Sequence, residues 1–424
     1  MNAEQPKWYS AVTRYQWIVL IVASLGWVFD AFEGQLYNIT RADMLPDLLH
    51  VGADDPLVRI WGERFLGIFL IGGTLGGWVF SSLADRIGRN PVMALTILFY
   101  SVFSGLTAFA SEIWQVGALR FLVATGVGGE WAVGAAIVAE VFPKGARERA
   151  GGIFHATSVV GLWLAAGAGL FVGTHWRTAY MLGVVPALLV LWVRLSIREP
   201  ETWREAKQTK AGRMGSFREL LGDPRWRPRA VYGALLAMAG LATFWGVLVA
   251  GQNLAAELLK RLGDPDWDRK SKIAFGFIQA TGAGAGMLAF GPLAARWGSK
   301  RTFVLMHVVA LVLTPVVCWV PWLLGSYGLL LVLLPVFAFF AQSIHAGYAV
   351  YFPTLFPTHL RATGSGFCFN TGRILASPVL IWLSAWLKSA FSLRTAITCL
   401  GGFFLLGLVA LFFLPETKGQ DLPT

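Results

Sequence analysis

The stretch Ser81-Ser-Leu-Ala-Asp85-Arg86-Ile-Gly88-Arg89-Asn90 aligns without a gap with Gly291-Pro-Leu-Ala-Ala295-Arg296-Trp-Gly298-Ser-Lys300. Each is a short basic loop with a central glycine, set between two long apolar runs. Two further pairs keep the same order and nearly the same spacing. Glu140-Val-Phe-Pro143-Lys-Gly-Ala-Arg147 is matched by Thr354-Leu-Phe-Pro357-Thr-His-Leu-Arg361, and Pro200-Glu201-Thr202 by Pro415-Glu416-Thr417. Three matches in one order at a near-constant offset read as an internal duplication with parallel halves.

Composition identifies the duplicated unit. Of 424 residues, 56% are hydrophobic and 14% charged, and mean hydropathy is +0.59, which suits a bilayer rather than water. Twelve apolar stretches of about 20 residues can be counted, continuous rather than alternating, so helices span the membrane and barrel strands do not. The expected fold is an all-α membrane protein of twelve transmembrane helices in two six-helix pseudo-symmetric halves. An N-terminal bundle covers 1–197, a cytoplasmic linker 198–228 and a C-terminal bundle 229–424. The first span is expected at 15–38 and the sixth at 176–197. The linker reads as a solvated tether, with lipid headgroup contact left open.

Lys and Arg concentrate in the loops on the linker side, which places both termini in the cytoplasm of a multi-pass inner (plasma) membrane protein. The net charge of +11 then reflects topology, and no nucleic-acid partner is expected. Met1 to Tyr15 shows no signal-peptide pattern, so the first span is its own targeting signal. Cys318, Cys368 and Cys399 lie in apolar runs and read as buried free thiols. A monomer in contact with the bilayer and a small-molecule substrate is expected.

Ionisable residues within the spans mark the functional candidates. Gly26-Trp-Val-Phe-Asp30-Ala-Phe-Glu33-Gly-Gln-Leu-Tyr37-Asn38 places two acids near the end of the first span, where a charge in hydrocarbon costs roughly 2.5–3.5 kcal/mol. Asp30 and Glu33 share a helix face, with Tyr37 one turn on. Arg120 and Glu130 lie on the fourth span, the latter in the glycine-rich run Gly126-Val-Gly128-Gly129-Glu130, and His155 lies on the fifth. Gln342, His345 and Tyr348 form one polar face of the tenth span, and Asn370 and Arg373 one face of the eleventh. The guanidinium of Arg373 can bind both oxygens of an organic carboxylate. A plainer reading stays open for each of these, as a static buried ion pair or a hydrogen-bonded helix contact. The counterpart of the acidic stretch, Gly240 to Asn253, has no acid and offers Trp245 instead, so Tyr37 and Trp245 are expected as aromatic walls. No phosphate-binding loop, metal cluster or nucleophile elbow is present, so no enzyme and no cofactor beyond a coupling proton is expected.

The loop Leu83-Ala-Asp85-Arg86-Ile-Gly88-Arg89 resembles the signature of the major facilitator superfamily, and the likeness covers essentially the whole chain. Arg120, Glu140, Pro143, Arg147 and the tail Pro415-Glu416-Thr417-Lys418-Gly419 resemble the sugar-porter branch. Asp30-Ala-Phe-Glu33 and Gly128-Gly129-Glu130-Trp131 look more like the proton symporters for aromatic acids, monocarboxylates and sialate. The resemblance implies a secondary transporter that symports a proton with a small organic anion by alternating access. Asp30, Glu33 and Glu130 would carry protons, and Arg120 would pair with Asp30 to modulate it. Arg373, Asn370, His345 and Gln342 would hold the substrate, and Asp85, Arg86, Arg89, Glu140 and Arg147 would close the cytoplasmic gate. A sugar or polyol transporter, an organic-cation transporter and a non-translocating receptor of the same fold are the alternatives. Ala295 and Leu355 stand where acids are usual, so the gate's charges should be stronger in the N-terminal half.

Overall fold

A computed structural model describes residues 8–209 and 212–423, and among these every regular element is helical. The N-terminal half holds α1 (Arg14–Leu49), α2 (Pro56–Ile87), α3 (Arg89–Thr107), α4 (Ile113–Val141) and α5 (Arg147–Gly169). Two short helices follow, α6 (Trp176–Leu182) and α7 (Ala187–Ser196), and then the linker helices α8 (Glu201–Gln208) and α9 (Phe217–Gly222). The C-terminal half holds α10 (Trp226–Arg261), α11 (Trp267–Trp297), α12 (Ser299–Leu323), α13 (Tyr327–Leu355), α14 (Thr358–Ala390) and α15 (Leu393–Phe413).

Eleven of the described helices are long and apolar enough to cross a bilayer unbroken. The expected sixth span differs, because it is divided between α6 and α7 by the turn Gly183-Val184-Val185-Pro186. Pro186 has no N–H to give to the Leu182 carbonyl, which accepts instead from Val185 at 3.0 Å. Broken backbone at membrane depth is tolerated where it is enclosed by protein or lines a watery space. The first span also differs, running to Leu49 rather than ending near residue 38. Tyr37, Met44, Leu45 and Leu48 pack with Phe65, Val116, Trp176 and Tyr180, so tertiary burial extends the helix past the end of the apolar run.

Glycine seams bring helices together backbone to backbone. A Cβ added at Gly128 on α4 would sit 2.6 and 2.8 Å from the Gly73 backbone on α2, and one at Gly76 would sit 2.5 Å from that of Thr125. In the second half Gly286 on α11 meets Phe339 on α13 in the same way, at 2.7 and 2.8 Å. The halves join through equivalent pairs: α2 packs on α14, and α5 packs on α11. Large apolar side chains such as Phe171, Trp382 and Phe412 point outward, as a lipid-facing surface requires. Cys318 and Cys368 are buried free thiols, whereas Cys399 is exposed on this outer surface.

The repeated loop forms two matching turns. Gly88 (φ 126°) separates α2 from α3, and Gly298 (φ 102°) separates α11 from α12, both in the region glycine tolerates best. Glu199 accepts from the backbone N–H groups of Arg89 and Asn90 at 2.9 and 2.8 Å, and Glu416 from those of Ser299 and Lys300 at 3.1 and 3.2 Å. The structural partner of Glu416 is therefore Glu199, not the Glu201 that the matching Pro-Glu-Thr triplets pair with it. The orphan donors at a helix N-terminus decide which acid is used, and only Glu199 reaches them.

Gly128→Ala is expected to destabilise the N-terminal half by about 1–3 kcal/mol, because the Gly73 backbone cannot yield to the added methyl. Thermal unfolding of the purified protein in detergent measures this, and an unchanged midpoint would refute the close seam.

Candidate functional site

Between the halves, the N-terminal bundle encloses a cluster of acids. Asp30 is 3% exposed, Glu33 0% and Glu130 2%, and no hydrogen bond reaches Asp30 Oδ1 or either carboxylate oxygen of Glu33 or Glu130. The glycine packing explains how they fit. Glu130 lies against Gly26 of α1, and Glu33 sits with Ser104 against Gly183, at the break between α6 and α7. The hydroxyls of Tyr100 and Ser104 are the nearest donors, Tyr100 beside Glu130 and Ser104 beside Glu33. Buried polar groups are almost always paired, so a set of open ones at one place marks a site that water, a proton or a substrate completes.

The expected pair of Asp30 with Arg120 is not formed. Arg120 stacks between Phe69 and Tyr37, its guanidinium carbon 4.0 and 4.7 Å from the ring centroids, and reaches the Gly34 carbonyl at 3.5 Å. It is thus the arginine nearer Glu33, whereas the arginine nearer Asp30 is Arg373 of the other half. Neither pair closes to within the 4.0 Å of an ion pair. The helical register accounts for the exchange, since Arg120 meets α1 one turn beyond Asp30.

From the C-terminal half, the half-buried Arg373 lies against Gly73 of α2, with its Nη1 enclosed and without a partner. Asn370 is fully buried, donating to the Gly366 carbonyl at 2.9 Å and pressing against Gly77, so it clasps α14 to α2 and keeps only Oδ1 open. His345 has both ring nitrogens open between Phe244 and Tyr348, and Gln342 keeps Oε1 open. Two expected aromatic walls are displaced. Tyr37 is committed, giving its hydroxyl to the Gly62 carbonyl at 3.2 Å and its ring to Arg120. Trp245 is 44% exposed and packs edge-on against Phe244, so Phe244 is the ring beside His345. The π-helical turn Phe244–Leu248 shifts the register there. His155 is a helix contact, with Nδ1 accepting from Trp131 Nε1 at 3.1 Å. Trp131 in turn stacks on Phe369 of the other half at 4.3 Å.

At the linker-side end the halves are bound by charge. Asp85 accepts from the backbone N–H groups of Ala362 and Thr363 at 3.2 and 2.8 Å, and from the Thr363 hydroxyl at 2.5 Å, capping a helix of the opposite half. Glu140 receives two donors from Arg89, at 2.8 and 3.1 Å, and one from Arg361 at 2.8 Å. Arg89 also reaches Asp85 at 3.0 Å and the Thr358 carbonyl at 2.9 Å. Two expected members stand apart. Arg147 spends its Nε on the Ala139 carbonyl of its own half, and Arg86 donates to Gly215 of the linker.

The linker is folded onto this end, contrary to the tether reading. Trp203 donates to the Asp85 carbonyl at 2.8 Å, Ser82 donates to the Gly215 carbonyl at 2.6 Å, Gly215 donates to the His359 carbonyl at 2.8 Å, and His359 meets Glu219 at 2.7 Å. Arg361, Thr363, Glu199, Phe244, Phe369 and the Tyr100/Ser104 pair were absent from the expected site. Only Arg361 carried a signal, the repeated Phe-Pro with Arg four residues on. Among the described residues no group of three or more His, Cys, Asp or Glu is placed to hold a metal ion.

The sequence profile described as Major Facilitator Superfamily matches residues 61–379. A probable 4-methylmuconolactone transporter of Cupriavidus pinatubonensis is 28% identical over 97% of this chain and 93% of its own. The sialic acid transporter NanX of Escherichia coli is 27% identical over 88% of each chain. The solved structure of the proton:xylose symporter XylE, 17% identical, superposes with a TM-score of 0.76 over 96% of this chain and 98% of its own.

Glu140→Gln removes the carboxylate charge that the buried Arg89 and Arg361 share, and the linker-side end is expected to loosen. A cysteine placed at Ser81 should then react severalfold faster with an impermeant maleimide; unchanged labelling would show that this cluster does not hold the closure.

Proposed function

We propose, from the premise that this chain belongs to the Major Facilitator Superfamily, that it carries a small organic anion across its membrane together with protons. The observation that carries this reading is that Asp30 Oδ1 and Arg373 Nη1, near each other but from different halves, are both enclosed and without a hydrogen-bond partner, Arg373 lying against Gly73. A buried guanidinium with a free donor needs an anion. A buried carboxylate that has lost its cation needs a proton.

The cycle follows from those needs. With Asp30 charged, its field holds Arg373. A proton on Asp30 releases Arg373 to a substrate carboxylate, which takes the fork of the guanidinium, with His345, Gln342 and Asn370 of the same half as the further polar side chains that keep open atoms. Substrate release re-exposes Arg373 to Asp30, which gives up its proton. Glu33 and Glu130 are further carriers in the same cluster. Alternating access would come from making and breaking the clasp of Asp85, Arg89 and Glu140 with Thr358, Arg361 and Thr363. With both termini and the linker on the cytoplasmic side of an inner membrane, that clasp is the cytoplasmic gate.

A neutral polyol would leave Arg373 and Arg120 unpaired, and a cation would meet both arginines in the same space, so an anion is favoured over either. The muconolactone and sialate transporters to which the chain is similar support the same class.

Arg373→Ala is expected to weaken substrate binding by about ten- to a hundredfold, the worth of a charge-assisted hydrogen bond or two. Asp30→Asn should abolish accumulation driven by an imposed pH gradient in proteoliposomes while sparing substrate-for-substrate exchange. Gradient-driven accumulation that survives in Asp30→Asn would move the coupling site elsewhere, and flux indifferent to the gradient in the unaltered protein would end the symport reading.

A further inference from the structure

We infer that the anion is a short diacid, gripped by Arg373 at one end and by Arg120 at the other; this rests on the anion reading above and names its substrate class. The helix α2 measures the spacing. On it, Arg120 lies over Phe69, while Nη1 of Arg373 would lie 2.6 Å from a Cβ at Gly73. These positions are four residues apart, so α2 separates the two points of contact by about 6 Å along its axis. On α1, where Arg120 reaches the carbonyl of Gly34 and the charge of Arg373 acts near Asp30, the interval is again four residues. That is the separation a short diacid places between its carboxyl groups. The two measures also agree in direction. Successive spans run antiparallel, and the residue nearer the linker-side end is in each case the one beside Arg373.

Chemistry supports the second grip. Arg120 is 5% exposed, and its Nε and Nη1 have no partner. Its plane is fixed by Tyr37 and Phe69, and stacking leaves the donor edge of a guanidinium free for an oxyanion. A monocarboxylate on Arg373 would leave Arg120 as a buried cation without a bound anion, whereas a second carboxylate satisfies it. Each arginine has one acid beside it but out of contact, Asp30 by Arg373 and Glu33 by Arg120, so the two grips share one composition.

The test compares succinate and adipate with butyrate and hexanoate on the full-length protein. Substrate-induced thermal stabilisation is read in detergent and exchange KM in proteoliposomes. Diacids are expected to show KM values at least about tenfold lower than the matched monoacids, and Arg120→Gln should bring that ratio to within about twofold. Arg120→Lys, which keeps the charge without the fork, should retain part of the preference. Equal affinity for diacids and monoacids in the unaltered protein overturns the inference, which requires no variant to fold. Equal weakening of both classes in Arg120→Gln overturns it as well. Proton-driven uptake of monoacids that diacids do not inhibit would sink the diacid alone and leave the anion reading standing. Movement of no carboxylate at all would remove both.

Discussion

A carboxylate taken out of water must find donors, and at the linker-side end Glu140 finds them in both halves at once. Arg89 approaches it from its own bundle and Arg361 from the other, while Asp85 reaches across to cap the helix that Arg361 begins. Each of these groups would be costly if left alone; Asp85, Arg89 and Glu140 pair within one half, whereas the Arg361 pair and the Asp85 cap exist only while the halves are docked. The linker adds to the same surface through Trp203 and Gly215. An end closed by buried charge is bistable in principle. Water admitted to it repays the desolvation of every member together.

The central cluster is built on the opposite plan. Asp30, Glu33, Glu130 and Arg120 are nearly as buried as the charges of the clasp and Arg373 is half-buried, yet each retains open hydrogen-bonding positions. Local backbone makes the room. The glycines at 26, 73 and 183 accept charged side chains where any other residue would collide with them, and the break at Gly183 to Pro186 brings irregular backbone to Glu33. Pairing that stops short of contact leaves these polar groups open, which distinguishes them from the closed ion pairs of the clasp. The Trp131 and Phe369 stack joins the halves with an apolar contact beside this polar region.

Much of this was legible in the chain. Continuous apolar runs, the repeated loop and the midpoint linker fixed an all-α bundle of two six-span halves, because hydrocarbon admits few other solutions for a backbone. The in-span charges named the elements that carry the buried polar cluster for the same reason, since a charge there has to be neutralised or paired. What the runs did not show was continuity. Hydropathy reports where an apolar helix fits, and Pro186 together with the burial of Tyr37 to Leu48 decided where helices break or continue.

The sequence by itself thus determined which residues carry charge into the membrane, but not which of them meet. Asp30 faces Arg373 rather than Arg120, Glu199 rather than Glu201 caps α3, Phe244 rather than Trp245 flanks His345, and Arg361 rather than Arg147 joins Glu140. Each choice turns on the relative register of helices far apart in the chain, set by glycine seams, a π-helical turn and the docking of two halves. One residue of register rotates a side chain by about 100° around its helix, so partnership across helices is a property of the packed bundle and of nothing smaller.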